Sequence, residues 1–213
     1  MRSIFRVALV TTLTTACFGT VALASASAAV VWTINGVEQR GGGKENVSST
    51  GGKFTLNGGG IEIECKKESG TGTITFSVPG TDAGTVEFGE CALLTEKAAC
   101  VLAAETLPFE VKTMLTEITG TDYDLFTPKN AGFTTFKLNN VTGKTCSIKG
   151  NYAITGSTAA QIGAQAVELE FKFSEAISTA VGAELKIIGK AVLTGSFKEK
   201  MTGANIGSEL GTF

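Results

Sequence analysis

Apolar and polar residues alternate one by one along several short stretches of this chain, and that period restricts what it can fold into. In residues 167–173, VELEFKF, Val167, Leu169, Phe171 and Phe173 fall on one side and Glu168, Glu170 and Lys172 on the other. Residues 61–67, IEIECKK, set Ile61, Ile63 and Cys65 against Glu62, Glu64 and Lys66, and TITFSV repeats the pattern with Ile74, Phe76 and Val78. Residues 108–115, PFEVKTML, follow it less cleanly, because Thr113 and Met114 blur the division. A period of two is that of a strand with one face buried. Further short candidates lie at 31–34, 54–56, 86–88, 133–138, 152–155, 185–188 and 191–196.

Turn signals separate these stretches: Asn35-Gly36, Asn57-Gly58, Pro79-Gly80, Gly120, Pro128, Asn139-Asn140, Gly143 and Gly156. A βαβ order would need helices of about ten residues or more between strands. Only two stretches beyond the N-terminal leader offer one. Residues 174–186, SEAISTAVGAELK, suit a short helix capped by Ser174 and ended before Gly182. The other is 92–104, rich in Ala, Leu, Glu and Lys. The expected fold class is all-β, an antiparallel β-sandwich or barrel with at most one or two short helices. GNYAITGS at 150–157 echoes GKAVLTGS at 189–196, as equivalent strands of two sheets would.

The N-terminus carries Arg2 and Arg6, an apolar run over 7–24 and small residues to Ala28. This is the layout of a secretory signal peptide over residues 1–28, cleaved after Ala26 or Ala28. A membrane anchor competes with it, but threonines dilute the run. Lipid attachment at Cys17 is a further alternative, although the usual leucine three positions before the cysteine is missing. Residues 29–213 then form a single β-rich domain, secreted or held at the cell envelope, with no membrane span after cleavage. Loss of the two leader arginines leaves 16 basic against 20 acidic residues, a formal charge of about −4, with Arg40 the last arginine. Nucleic-acid binding rests on clustered Lys and Arg, so no nucleic acid is expected as partner.

Four cysteines remain: Cys65, Cys91, Cys100 and Cys146. An even number in an exported chain reads as two disulfides. A four-thiolate zinc site shows close cysteine pairs, and no such pair or C-x-x-C motif occurs. Within CALLTEKAAC, a helix would hold Cys91 and Cys100 about 13.5 Å apart, too far for a disulfide, whose Cα atoms lie within about 7 Å. A hairpin brings them together. The pairing expected is therefore Cys91 with Cys100 and Cys65 with Cys146, with the helix as the competing reading.

The chain contains no histidine, which removes Ser-His-Asp and Cys-His catalysis, HExxH zinc sites and histidine proton shuttles. Carboxylate chemistry remains. Glu62 with Glu64, or Glu168 with Glu170, stand two positions apart on one strand face, near the spacing of a glycoside hydrolase pair. Alternating Glu and Lys is also ordinary solvated sheet surface. Asp122 and Asp124 in TGTDYDLF suit either a calcium loop or an Asp-rich turn, and the EF-hand spacing is not met. Sugar stacking would draw on Trp32, Tyr123 or Tyr152. No catalytic, cofactor-binding or metal-ligating residue is assigned, and no cofactor is expected.

Taken in order, VVWTINGV, IEIECKK, GTVEFGEC, CVL, LFTPKNAGFTTFKL, CSIKGNYAITGS, AELKIIGKAVLTGS and the closing LGTF resemble a set of uncharacterised exported bacterial proteins. The resemblance spans most of the chain beyond the leader and is most specific in the cysteine framework and the Trp32 start. It implies export and a shared β fold, and it carries no activity. The leading expectation is a non-enzymatic secreted or cell-envelope protein that acts by binding, with an extracellular glycan or envelope component as partner, or in a structural role. The alternatives are a carboxylate-dependent glycan hydrolase and a sugar-binding or adhesive module.

Overall fold

The computed structural model describes residues 29–213; the expected leader, with Cys17, lies outside the described residues. The first strands are β1 (Trp32–Ile34), β2 (Val37–Glu38), the long β3 (Lys44–Gly58), β4 (Ile61–Cys65), β5 (Lys67–Thr75) and β6 (Thr81–Gly89). Then come β7 (Ala92–Leu93), β8 (Cys100–Leu102), β9 (Leu107–Ile118), β10 (Thr121–Pro128), β11 (Thr134–Asn140) and β12 (Gly150–Gly156). β13 (Thr158–Ile162), β14 (Leu169–Phe173), α1 (Glu175–Ala180), β15 (Leu185–Lys186), β16 (Lys190–Met201) and β17 (Leu210–Thr212) complete the chain. The fold is all-β and antiparallel, as the alternation predicts.

Eight strands close a barrel in the order β3-β5-β6-β9-β10-β13-β14-β16, because β16 pairs back onto β3. The β3–β16 ladder runs from Val47↔Met201 to Gly58↔Ala191 and is the spine of the molecule. At one end β5 and β14 flank it and belong to the barrel. At the other end β4 and β15 flank it and begin a second sheet, β7-β4-β3-β16-β15-β12-β11-β8. Between the two ends the ladder breaks register at Gly195/Phe197, with two β3 residues opposite one on β16. Such a bulge bends the sheet. Gly59 and Gly60, both at positive φ, make the two-residue turn from β3 into β4. β17, β1 and β2 form a separate small sheet.

A run of phenylalanines links the two sheets. Phe54 meets Phe88 with ring centroids 4.9 Å apart, Phe88 meets Phe109 at 4.9 Å, and Phe109 stacks on Phe133 at 5.3 Å. On the neighbouring strands β14 and β16, Phe171 stacks on its register partner Phe197 at 4.9 Å. Each such pair contributes about 0.5–1.5 kcal/mol beyond its area burial. The helix predicted after Ser174 is α1, and Ser174 Oγ accepts a hydrogen bond from the Ile177 N–H, the expected N-cap.

Several expectations are corrected. The disulfides join Cys65 with Cys91 and Cys100 with Cys146, with Cα atoms 3.9 and 4.8 Å apart. The stretch from Cys91 to Cys100 forms neither hairpin nor helix. β7 pairs with β4 and β8 pairs with β11, at opposite edges of the second sheet. The turn between them joins two edges that approach each other, with the Cys91 N–H donating to the Glu105 carbonyl, but β7 and β8 form no ladder with one another, and each cysteine bonds to a cysteine next to its own sheet partner. The strand read from Val167 begins at Leu169, and Val167 is exposed. Thr113 and Met114 keep the alternation of β9, since Thr113 is buried and Met114 exposed. The segment holding Asp122 and Asp124 is strand β10 rather than a loop or turn. The echoing segments are β12 and β16, which flank β15 in one sheet rather than lying in two.

Candidate functional site

The barrel interior is lined by acids as well as apolar groups. On β3, Glu45, Val47 and Ser49 are buried, and on β5 so are Glu68 and Ile74. Register carries this inner face around the wall: Ile74 stands opposite Asp82, Asp82 opposite Thr113, and Thr113 opposite Phe126. Asp124 stands opposite Leu115 and Ala160, and Glu199 opposite Ser49 and Leu169. Asp82, Asp124 and Glu199 border one cavity of about 20 Å³, together with Val47, Ser49, Val111, Phe126, Phe171 and Phe197.

Few of these acids are satisfied. Ser49 Oγ donates to Glu68 Oε1 at 2.6 Å, and Asn205 Nδ2 donates to Glu45 Oε2 at 2.7 Å. Asp124 is completely buried, and neither of its carboxylate oxygens has a hydrogen bond of standard geometry. Glu199 Oε1, Thr113 Oγ1, Glu68 Oε2 and Glu45 Oε1 are likewise buried without a partner. A polar group in that condition costs roughly 1–3 kcal/mol, more if charged.

Burial accordingly pushes the Glu68 carboxyl up to about 7, against the lowering effect of Ser49. Asp82 rises to about 6 by desolvation, opposed by Thr113 and Asp124; the residue keeps some exposed surface while its carboxyl is surrounded by protein. Asp124 is raised well above the usual carboxylate range by burial first and by the Asp82 charge second. Glu199 is raised by burial, then by the charges of Asp82 and Glu68. Two carboxylates brought together out of water cannot both ionise without cost, so the set holds either protons or a cation.

The pairs flagged from sequence lie elsewhere. Lys53 pairs with Glu64 at 2.6 Å, Lys172 with Glu170 at 3.2 Å and Lys198 with Glu168 at 3.8 Å, all with solvent-exposed lysines. The Glu62 backbone N–H donates to Thr95 Oγ1 at 2.9 Å. These acids are outer sheet surface. Asp122 accepts from Thr212 Oγ1 at 2.6 Å, which ties β10 to β17, and only Asp124 of that pair enters the barrel. Trp32 is fully buried, Tyr123 partly buried, and Tyr152 stacks on Phe136 at 5.3 Å. Glu96, Cys100 and Cys146 form a close group with metal-ligand atoms, but both sulfurs are consumed by the disulfide.

Asp82, Glu68 and Glu199 are absent from the sequence-derived candidates, although one signal for them exists. In FKEKM, Glu199 has the phase of Phe197 and Met201, and the lysines hold the opposite phase. Asp82 shares the phase of Val86 and Phe88 in the same way. An acid in the apolar phase of a strand points inward.

No helix among the described residues is long and apolar enough to cross a membrane, and the two buried disulfides are compatible with an extracytoplasmic location. Comparison with protein-family models, curated proteins and solved structures finds no match to this chain.

Proposed function

We propose that the protein is exported and works outside the cytoplasm as a non-enzymatic β-barrel module, by binding or by structural support at the cell envelope. The observation that carries this reading is where the carboxylates stand. Glu64, Glu168 and Glu170 of the surface pairs are each held by a lysine, and the desolvated acids flank a cavity of about 20 Å³, room for a water or an ion and not for an organic substrate. A hydrolase needs two acids on either side of a scissile bond, and neither arrangement supplies that.

Binding then falls to the outer surface. A shallow groove of about 530 Å³ crosses β5 and β6 and presents the polar side chains of Asn46, Ser48, Thr71, Thr73, Thr85 and Lys129. Hydroxyl, amide and ammonium groups of this kind suit a polyhydroxylated ligand. With Trp32 buried, stacking on its ring does not contribute. The test is binding of the protein to a glycan array, together with incubation on a panel of envelope and plant polysaccharides. Binding without release of reducing sugar supports the reading. Hydrolysis that disappears on Glu168→Gln or Glu62→Gln overturns it.

A further inference from the structure

We propose that the barrel interior is a binding site for one hard divalent cation, calcium by its ligand chemistry, held between Asp82, Asp124 and Glu199. Three carboxylates from three separate strands border one cavity. No lysine or arginine among the described residues pairs with any of them; the ion pairs of the chain use Glu38, Glu64, Glu90, Glu168, Glu170, Glu175 and Glu184. The independent pointer to a ligand is Asp124 itself. It is 0% exposed, it lines the cavity beside Asp82 and Thr113, and neither of its oxygens has a hydrogen bond of standard geometry. Glu199 Oε1 beside the same cavity is buried without a partner, and Thr113 Oγ1 on the neighbouring strand stands beside Asp82 and Asp124 with no hydrogen bond of standard geometry. A single divalent ion would satisfy them together.

The donor set selects the ion. Every donor is oxygen, the chain has no histidine, and the four described cysteines are in disulfides, which leaves nothing for copper, zinc or iron to prefer. Magnesium keeps several of its waters, and a cavity of about 20 Å³ has no space for them. Calcium takes six to eight oxygens at about 2.3–2.6 Å and accepts bidentate carboxylates in flexible geometry; three bidentate groups supply six. The three carboxylates do not all stand within 4.8 Å of one another, so binding draws the side chains inward by rotamer changes. Gly72 and Gly84, paired across β5 and β6, separate the cavity from the outer groove with backbone alone. The site is internal and stands independently of what that groove binds.

The experiment strips the protein with EDTA and dialyses it to equilibrium against radioactive calcium in excess magnesium, with thermal melts in calcium and in EDTA. The wild type is expected to retain about one calcium per chain and to melt several degrees higher in calcium, as a ligand specific to the folded state requires. Asp124→Asn and Glu199→Gln are expected to lose both the retained ion and the shift, and Glu87→Gln on the exposed outer face to keep them. Each of the two site variants replaces a carboxyl that is protonated when no cation is bound by a neutral amide of the same size, so folding in EDTA is expected to be preserved, and melting in EDTA verifies it. No retained calcium, equal melts in calcium and EDTA, or retention that survives both site variants would overturn the proposal.

Discussion

Ser49 and Glu68 face each other inside the barrel, joined by a 2.6 Å hydrogen bond from the serine hydroxyl to Oε1, with both residues buried. Glu68 Oε2 has no partner, and burial raises the carboxyl from 4.5 to about 7. The folded state therefore holds a proton on Glu68 at pH values where the unfolded chain has released it. The stability this contributes is fully present below pH 4.5 and is lost as pH rises through about 7. The difference between pH 4.5 and pH 8 is about 3 kcal/mol from this group. Urea midpoints in EDTA are expected to fall from pH 5 to pH 8, and Glu68→Gln, which keeps an acceptor for Ser49, is expected to reduce the slope by this group's share, with the raised Asp82, Asp124 and Glu199 supplying the remainder. A midpoint that rises over this range would contradict the assignment.

The disulfide pairing makes a separate prediction. Non-reducing peptide mapping is expected to join Cys65 to Cys91 and Cys100 to Cys146. With sequence separations of 26 and 46, the chain-entropy model assigns about 3.5 and about 4 kcal/mol to the two bonds. Replacing Cys65 and Cys91 together by alanine should lower Tm by roughly 7–14 °C, at about 2–4 °C per kcal/mol for a chain of this size. A map that linked Cys91 to Cys100 would refute the placement of β7 and β8 at opposite sheet edges.

At Gly84 the barrel wall has no room for a side chain. A Cβ there would lie 2.4 Å from the Thr71 carbonyl oxygen and 2.8 Å from the Gly72 Cα, both backbone atoms that cannot rotate away. Gly84→Val is expected to destabilise the protein by about 1–3 kcal/mol, as overpacking does, read as a lower midpoint in urea. Gly41→Ala, with nothing within 4 Å of the added carbon, is the control and should stay within about 0.5 kcal/mol of wild type.

How readily a strand could be read in the sequence follows from its inner face. β4 of the second sheet and β14 of the barrel alternate Ile or Phe with Glu or Lys and declare themselves. The barrel half of β3 reads KENVSSTG, because its inner face is Glu45, Val47, Ser49 and Gly51, and a polar inner face erases the alternation. β13, TAAQI, and β10, TDYDLFTP, are obscured by Thr, Ala and Asp in the same way. The acids that hide these strands are the ones that line the cavity, so the most unusual site lies where the hydrophobic pattern is weakest. Cysteine pairing was opaque for another reason. Loop length ranks pairings by entropy, but the choice between them depends on which strands share a sheet edge, and that is set by the whole topology.

Trp32 supplies the remaining prediction. It is fully buried on β1, and a Cβ on Gly80 would lie 2.7 Å from its Cδ1, so the indole is packed tightly against the turn that joins β5 to β6. Being the chain's one tryptophan, it reports on that packing alone. Its fluorescence is expected to be blue-shifted and shielded from iodide in the folded protein, to shift red on unfolding, and to be unchanged by saturating glycan. Trp32→Ala removes a large buried ring and should cost about 3–5 kcal/mol, measured by chemical denaturation followed by circular dichroism. Quenching of the native signal by iodide, or by an added sugar, would place the indole in a groove and return the sugar-stacking reading to contention.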